Sequence, residues 1–327
     1  MGQDTSEQVK RLVASSWARS TQASYNSELK KWARFCKIKG YDITPTEDKG
    51  VEFLVWLHDD DKAKHSTIKN ARSALSAVTP LEHDKSFGKK ALVSRVLKGM
   101  FRERPQIPKR VVIYDTNKVL EYVSSLGPNN TLLLEDLTKK LTFLLCLLSG
   151  QRSQSIAHLY PQHHMHREGK DVVTFFIPKQ LKTTTDVFHQ QPLEFLAYPA
   201  DPNVCVVGCL DEYLARTSAI RENLPVPEGE KISLILSYAY PHNPVKSATL
   251  ARYVKNFLYD AGIDITIFTA HSTRAASTSK VNNLGLSMKD ISKAAGWRNA
   301  TTFQKHYKFK VTNNFGDKLL SATSGIH

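Results

Sequence analysis

Two prolines set the first limit on how this chain folds. Pro105 and Pro108 lie in ERPQIPKRVV, residues 103–112. Proline locks φ and removes a backbone donor, so this stretch neither continues a helix nor sits inside a sheet. It divides the 327 residues into a first part, 1–102, a linker, 103–115, and a second part, 116–327. Two domains of ordinary size fit that length.

The first part carries helical periodicity throughout. Thr21 is a candidate cap for a helix in which Tyr25, Leu29, Trp32, Ala33 and Cys36 recur at helical spacing, closing at Gly40. Thr46 precedes a second helix with Phe53, Leu54 and Leu57, a third spans Ser66–Val78 and stops at Pro80, and a fourth runs from Lys89 to Phe101. The second part predicts helices at Thr116–Ser125 and Thr131–Leu148. Two strand-like runs follow, DVVTFFIP (171–178) and VFHQQPLEFL (187–196), joined by LKTTTD as a tight β-hairpin. Further helices are expected at Val206–Ala219, Ala248–Ala261, Ser272–Asn283, Met288–Ala295 and Thr301–Lys308. The fold class is therefore mainly α, with a small antiparallel β-sheet in the second domain.

Charge narrows the partners. The net charge is +14. Up to Arg110 there are 22 Lys and Arg against 13 Asp and Glu, and beyond it 23 against 18. The excess concentrates in the first third, as expected of a chain that binds a polyanion. A ribosomal or membrane-surface protein would show a similar balance. In the first part Lys64, Lys69, Arg72, Lys89 and Lys90 alternate with apolar residues, and Lys109 and Arg110 follow in the linker. Taken singly each is an ordinary solvated lysine or arginine. Together they suggest a small helical domain with a basic face suited to a polyanion.

The richest apolar run, LTFLLCLLSG (141–150), is shorter than the roughly 18 residues a membrane span needs. No apolar signal region opens the chain. Gly2 and Ser6 fit the loose N-myristoylation pattern, for which a start codon and a small residue are the plainer account. Cys36 and Cys146 fall on apolar helix faces. Cys205 and Cys209 form one C-x3-C without a second pair, which speaks for a reduced, intracellular chain over a zinc site.

The chemistry concentrates in HSTRAASTSKVNNLGLSMKDISKAAGWRNATTFQKHY, His271 to Tyr307. His271 and Arg274 are three apart and share one helix face. They open a helix, whose N-terminus adds N–H groups and partial positive charge suited to a phosphate. Arg152 follows the apolar helix closed by Gly150, where a guanidinium is costly to bury without an anion. Lys182 lies in LKTTTD, with Lys179 as the fallback. Metal-free cleavage of a phosphodiester needs a nucleophile, cations on the non-bridging oxygens and an acid for the leaving oxygen. Tyr307 supplies a nucleophile whose phenol, with an ordinary pKa of about 10, needs a cationic site to lose its proton. Each of these residues has an ordinary structural account when taken alone.

The ordered set Arg152, Lys182, His271-x-x-Arg274, Gly296-Trp297 and Tyr307 resembles the tyrosine recombinase, or phage integrase-like, family. The basic helical first part looks like that family's core-binding domain, so the resemblance covers nearly the whole chain. The GQR, HSTR and GW…TF…Y motifs look most like eukaryotic mobile-element recombinases of the DIRS/Ngaro-like or crypton groups. The resemblance implies a two-domain tyrosine recombinase, acting in the nucleus for integration and excision of a mobile element. Tyr307 would form a 3′-phosphotyrosine link, and Arg152 and Arg274 would clamp the phosphate. Lys182 would protonate the leaving 5′-OH, His271 would assist proton transfer, and Trp297 would pack near the phosphate. No cofactor, metal, ATP or small-molecule substrate is implied. The implied partners are duplex DNA and, for a full reaction, a tetramer on two sites. The alternatives are a domesticated DNA-binding protein without turnover and a type IB topoisomerase-like enzyme.

Two departures stand out. Ser155 occupies a position where the family often has an acidic residue, and Tyr307 is ten residues after Trp297 where many relatives have nine. Beyond Tyr307, Phe315, Leu319 and Leu320 make an apolar stripe that fits docking on a neighbouring subunit or on its own domain. Three other signals carry little. Asp59, Asp60 and Asp61 point in different directions at a helix end. His163, His164 and His166 lack a fourth ligand and read as a loop or hairpin surface. No Walker loop or serine nucleophile elbow occurs.

Overall fold

The computed structural model describes residues 6–79, 85–105, 112–181, 184–185, 188–225 and 231–298. The sequence expectations for Lys109, Arg110, Lys182, Tyr307, the helix at 301–308 and the C-terminal stripe lie outside the described residues. The chain divides into two compact units, 1–110 and 111–327.

The first unit is helical. It comprises α1 (Glu7–Ser15), α2 (Arg19–Lys39), α3 (Glu47–Asp59), α4 (His65–Val78) and α5 (Ala91–Glu103). α2 begins earlier than its sequence suggests: the Ala18 carbonyl accepts from Thr21 and Gln22, at 2.8 and 3.0 Å. Thr21 therefore lies in the first turn and does not cap the helix. Gly40 closes α2 in the left-handed conformation, and Thr46 caps α3 through the Lys49 N–H. Trp32, Phe35, Phe53, Leu54 and Leu57 pack with Ile68, Leu75, Phe87 and Leu97 into one core. The Trp32 and Phe53 rings meet edge to face, with centroids 5.4 Å apart.

The basic residues of this unit divide. Lys64, Lys69 and Lys89 are exposed, and Arg72 is half-buried beside Gly88. Lys90 corrects the sequence reading. It is buried, and its ammonium lies 2.8 Å from Glu47, holding the start of α5 to the start of α3. A turn of 3-10 helix at Phe87–Lys89 precedes α5, so the fourth helix begins later than its periodicity suggests.

The second unit contains α6 (Thr116–Ser125), α7 (Leu134–Ser149), α8 (Ser153–Ile156), α9 (Pro161–His164), β1 (Met165–Glu168), β2 (Val172–Phe175), β3 (Leu193–Leu196), α10 (Val206–Glu222), α11 (Ser247–Asp260), α12 (Ala270–Asn283) and α13 (Met288–Ala295). α7 explains the apolar run: every residue from Leu137 to Leu147, Lys139 apart, is buried, because α10, α11 and α12 all pack on it. The Phe143 and Phe257 rings stack at 4.8 Å. Each fully buried leucine or phenylalanine contributes roughly 1.5–3 kcal/mol.

The three strands form one antiparallel sheet in the order β1-β2-β3, with Met165 opposite Phe175 and Val173 opposite Phe195. Val173, Phe175, Leu193 and Phe195 alternate onto the buried face. The expected tight hairpin is corrected. Its strands have four residues each, and the connection runs from 176 to 192. Within it the Thr184 hydroxyl accepts from Leu181 N–H at 3.0 Å and the Thr185 hydroxyl accepts from Phe188 N–H at 3.1 Å. β1, with His166 exposed on it, pairs with β2 as a hairpin, one of the two surfaces the sequence suggests there.

All four cysteines are buried and free. The C-x3-C spacing has a structural account: the Cys205 sulfur caps α10 and accepts from Gly208 N–H and Tyr198 N–H. Burial pushes the Cys146 and Cys209 thiols up to about 12.

Candidate active site

Three separate segments of the second unit converge on one cavity of about 500 Å³. The turn after α7 contributes Gln151 and Arg152, the N-terminal half of α12 contributes His271 and Arg274, and α11 contributes Arg252 and Lys255. Three of the residues singled out from sequence, Arg152, His271 and Arg274, are thereby brought together. Five of the lining side chains are basic, a setting suited to an anion.

Local chemistry explains each placement. Gly150 ends α7 with φ +60°, and a Cβ there would lie 3.1 Å from Thr278 Cγ2. Glycine is therefore required both by conformation and by the close approach of α12. The next residues turn sharply, leaving Arg152 half-buried at the start of α8. α12 opens with a capping box in which the Thr269 N–H donates to Ser272 Oγ at 3.0 Å. That cap sets His271 in the first turn, exposed at the mouth, and Arg274 one turn deeper, 1% exposed. Arg274 Nη1 donates to the Gly150 carbonyl at 2.7 Å, and Ser277 Oγ donates to the Leu147 carbonyl at 2.5 Å. These bonds join α12 to the end of α7.

Trp297 sits just past α13. Gly296 closes that helix at φ +64°, and the Trp297 N–H donates to the Ser292 carbonyl at 2.9 Å. The indole is buried, and the Arg274 guanidinium lies 4.5 Å from its centroid. Lys179, the fallback for Lys182, is exposed after β2, and it is not among the residues lining the cavity. Burial, with the Lys179 charge as a smaller influence, holds His158 below its ordinary pKa. Tyr114 packs in the core, where burial pushes its phenol well above the usual range. Such a tyrosine is a poor nucleophile.

Sequence reasoning missed Arg252 and Lys255. They stand three apart on α11, the same spacing as His271 and Arg274, but nothing in their own segment marks which distant residues that face meets. It also missed the side-chain contacts of Gln151. Ser155, noted as a departure, is 4% exposed and donates to Gln151 Oε1 at 2.9 Å.

The chain matches the model of the phage integrase family over residues 129–312, more than half its length. It belongs to that family and is a tyrosine recombinase, a DNA-cleaving and rejoining enzyme. Three solved structures are similar in fold. The XerH site-specific recombinase bound to palindromic difH substrate, a post-cleavage complex, is 16% identical, with 93% of this chain and 79% of that chain covered and a TM-score of 0.58. The Tn1549 transposon integrase in complex with transposon right end DNA is 17% identical, with 88% and 91% covered and a TM-score of 0.54. A lambda integrase dimer bound to a COC′ core site is 15% identical, with 94% and 95% covered and a TM-score of 0.51. No curated protein sequence matches the chain. The mainly helical fold with its small antiparallel sheet is that of the tyrosine recombinases.

Proposed function

We propose that the chain is a site-specific recombinase that cleaves DNA through Tyr307. The Tyr307 oxygen attacks the scissile phosphorus and the bond to the 5′ oxygen breaks. Lys182 gives that oxygen a proton, and His271 takes the phenolic one. Arg152 and Arg274 hold the non-bridging oxygens, where charge builds in the transition state. Trp297 packs behind them. The 5′-OH of a partner strand then attacks the 3′-phosphotyrosine, so the bond is exchanged without ATP. The convergence of Arg152, His271 and Arg274 on one basic cavity carries this reading.

The first unit, with Lys64, Lys69, Arg72 and Lys89 and the linker residues Lys109 and Arg110, grips duplex DNA through its phosphates. The similarity to a transposon integrase in complex with transposon right end DNA, and to a lambda integrase dimer on a core site, supports a DNA partner and more than one subunit. Four copies on two sites would complete an exchange. The similarity to a transposon integrase supports a role in moving a mobile element, and the DIRS/Ngaro-like or crypton motifs would place that element in a nucleus.

A nicked suicide DNA carrying a cognate site tests the reading. It traps a covalent adduct with the wild-type chain and none with Tyr307→Phe. An adduct that survives that substitution would remove Tyr307 from the mechanism. Specific binding without any adduct would favour a DNA-binding protein that does not turn over, and relaxation of supercoils lacking a site would favour a topoisomerase.

A further inference from the structure

One buried side chain beside the cavity connects groups that the proposed mechanism treats separately. Gln151 is 3% exposed, and both ends of its amide are bonded. Its Oε1 accepts from Ser155 Oγ at 2.9 Å, and its Nε2 donates to the Ala294 carbonyl at 2.6 Å. The Ala294 carbonyl can only accept, so the amide orientation follows from the network. Ala294 lies in the last turn of α13, where backbone carbonyls lack a partner within the helix. Gln151 therefore caps α13 from 143 residues away in sequence. Arg152, the phosphate clamp, is its neighbour, and Trp297 follows three residues after Ala294.

We infer that Gln151 is a positioning residue of the recombinase. Its amide holds the end of α13, and with it Trp297, in register with Arg152 and Arg274. The inference rests on the proposed function. A closed circuit results. Arg274 bonds the Gly150 carbonyl and faces the Trp297 ring. Gln151 bonds Ala294, and Ser155 fixes the Gln151 amide. A serine–glutamine pair thus braces the site where an acidic residue was expected from the family resemblance. Cutting one link takes from the partly buried Ala294 carbonyl its partner on the turn after α7, and removes that tie between α13 and the end of α7.

The experiment compares single-turnover adduct formation on suicide DNA with DNA affinity. Gln151→Leu keeps the volume and loses both bonds. It should form adduct at least tenfold more slowly while binding DNA within about twofold of wild type. Gln151→Glu supplies a readout that loss of packing would not produce. Its carboxylate would face the Ala294 carbonyl, so only the protonated form restores the bond; burial and that carbonyl raise its pKa against the opposing charges of Arg152, Arg252, Lys255, His271 and Arg274 on the same cavity. Its cleavage rate should rise relative to wild type as the pH falls from about 8 to about 6. A wild-type rate for Gln151→Leu, or a wild-type pH profile for Gln151→Glu, overturns the inference. If Gln151→Leu does not fold, the Gln151→Glu profile decides. Normal adduct in both variants overturns the positioning role alone, whereas no adduct from the wild-type chain overturns it together with the proposed function.

Discussion

The guanidinium of Arg274 sits 4.5 Å from the indole centroid of Trp297, while its Nη1 bonds the Gly150 carbonyl at 2.7 Å. A desolvated cation–π contact contributes about 2 kcal/mol. Arg274→Ala should slow adduct formation by roughly a hundredfold or more, the scale of losing one oxyanion donor. Arg274→Lys should not rescue it, because a compact ammonium cannot cover the ring and reach the carbonyl as a planar fork does. Trp297→Ala should lose about tenfold and Trp297→Phe less, measured on the same substrate. A tenfold loss or less for Arg274→Ala would mean that the residue is chiefly structural.

Gly296 meets two demands. Its φ is +64°, and a Cβ there would run into the side-chain amide of Gln190. Gln190 lies in the connection between β2 and β3, the one that carries Lys182 in sequence. Gly296→Ala should lower the unfolding midpoint, since a left-handed alanine costs about 1–2 kcal/mol, and should slow cleavage. Adding Gln190→Ala should recover only part of the loss, because it removes the collision and leaves the backbone strain. Thermal melts of the single and double variants check this.

Arg252 and Lys255 line the same cavity as Arg152, Arg274 and His271. If both meet DNA phosphates, Arg252→Ala and Lys255→Ala should each reduce the slope of log affinity against log salt by about one. Binding titrations between 50 and 200 mM salt (roughly the useful range) read this directly. An unchanged slope for both would confine DNA contact in this region to other residues.

Lys64 and Lys90 should separate in the same assay. Lys64 is exposed, whereas Lys90 is buried against Glu47 at 2.8 Å. Lys64→Met should reduce the salt slope by about one and leave stability unchanged. Lys90→Met should do the reverse, since it strands Glu47 without its partner.

Lys140 is fully buried on α7, and its ammonium has no hydrogen-bonding partner among the described residues. Burial lowers its pKa, with the weaker fields of Cys209 and Asp201 acting the other way. The folded state therefore binds this proton less readily than the unfolded state, whose lysine titrates near the ordinary value of about 10.4. The penalty is full below the folded pKa and fades as pH rises towards about 10.4. Lys140→Met should raise the unfolding midpoint near neutral pH, by about 2–4 °C for each 1 kcal/mol removed. The advantage should shrink in alkaline buffer. A variant no more stable than wild type at pH 7 would show that the ammonium is accommodated.

Much of the fold follows from signals that act within a few residues. α6 and α13 have the bounds that their periodicity and caps suggest, and Thr46, Gly40 and Gly150 stop or start helices as their local chemistry requires. The misses are also local competitions. The Ala18 carbonyl starts α2 ahead of Thr21, and short strands such as β1 carry too few residues to show an alternation.

The sequence by itself determined the longer helices, though not α1, α8 or α9, together with the basic balance and the identity of Arg152, His271, Arg274 and Trp297 as candidates. Those are properties of residue type and spacing. Only the tertiary structure decided that Arg252 and Lys255 share their cavity, that Lys90 serves the core, and that Gln151 and Ser155 brace α13. Each of these depends on groups far apart along the chain meeting in a buried, weakly screened space. There a hydrogen bond or a charge acquires its value from what lies across the contact, which spacing along one segment does not encode.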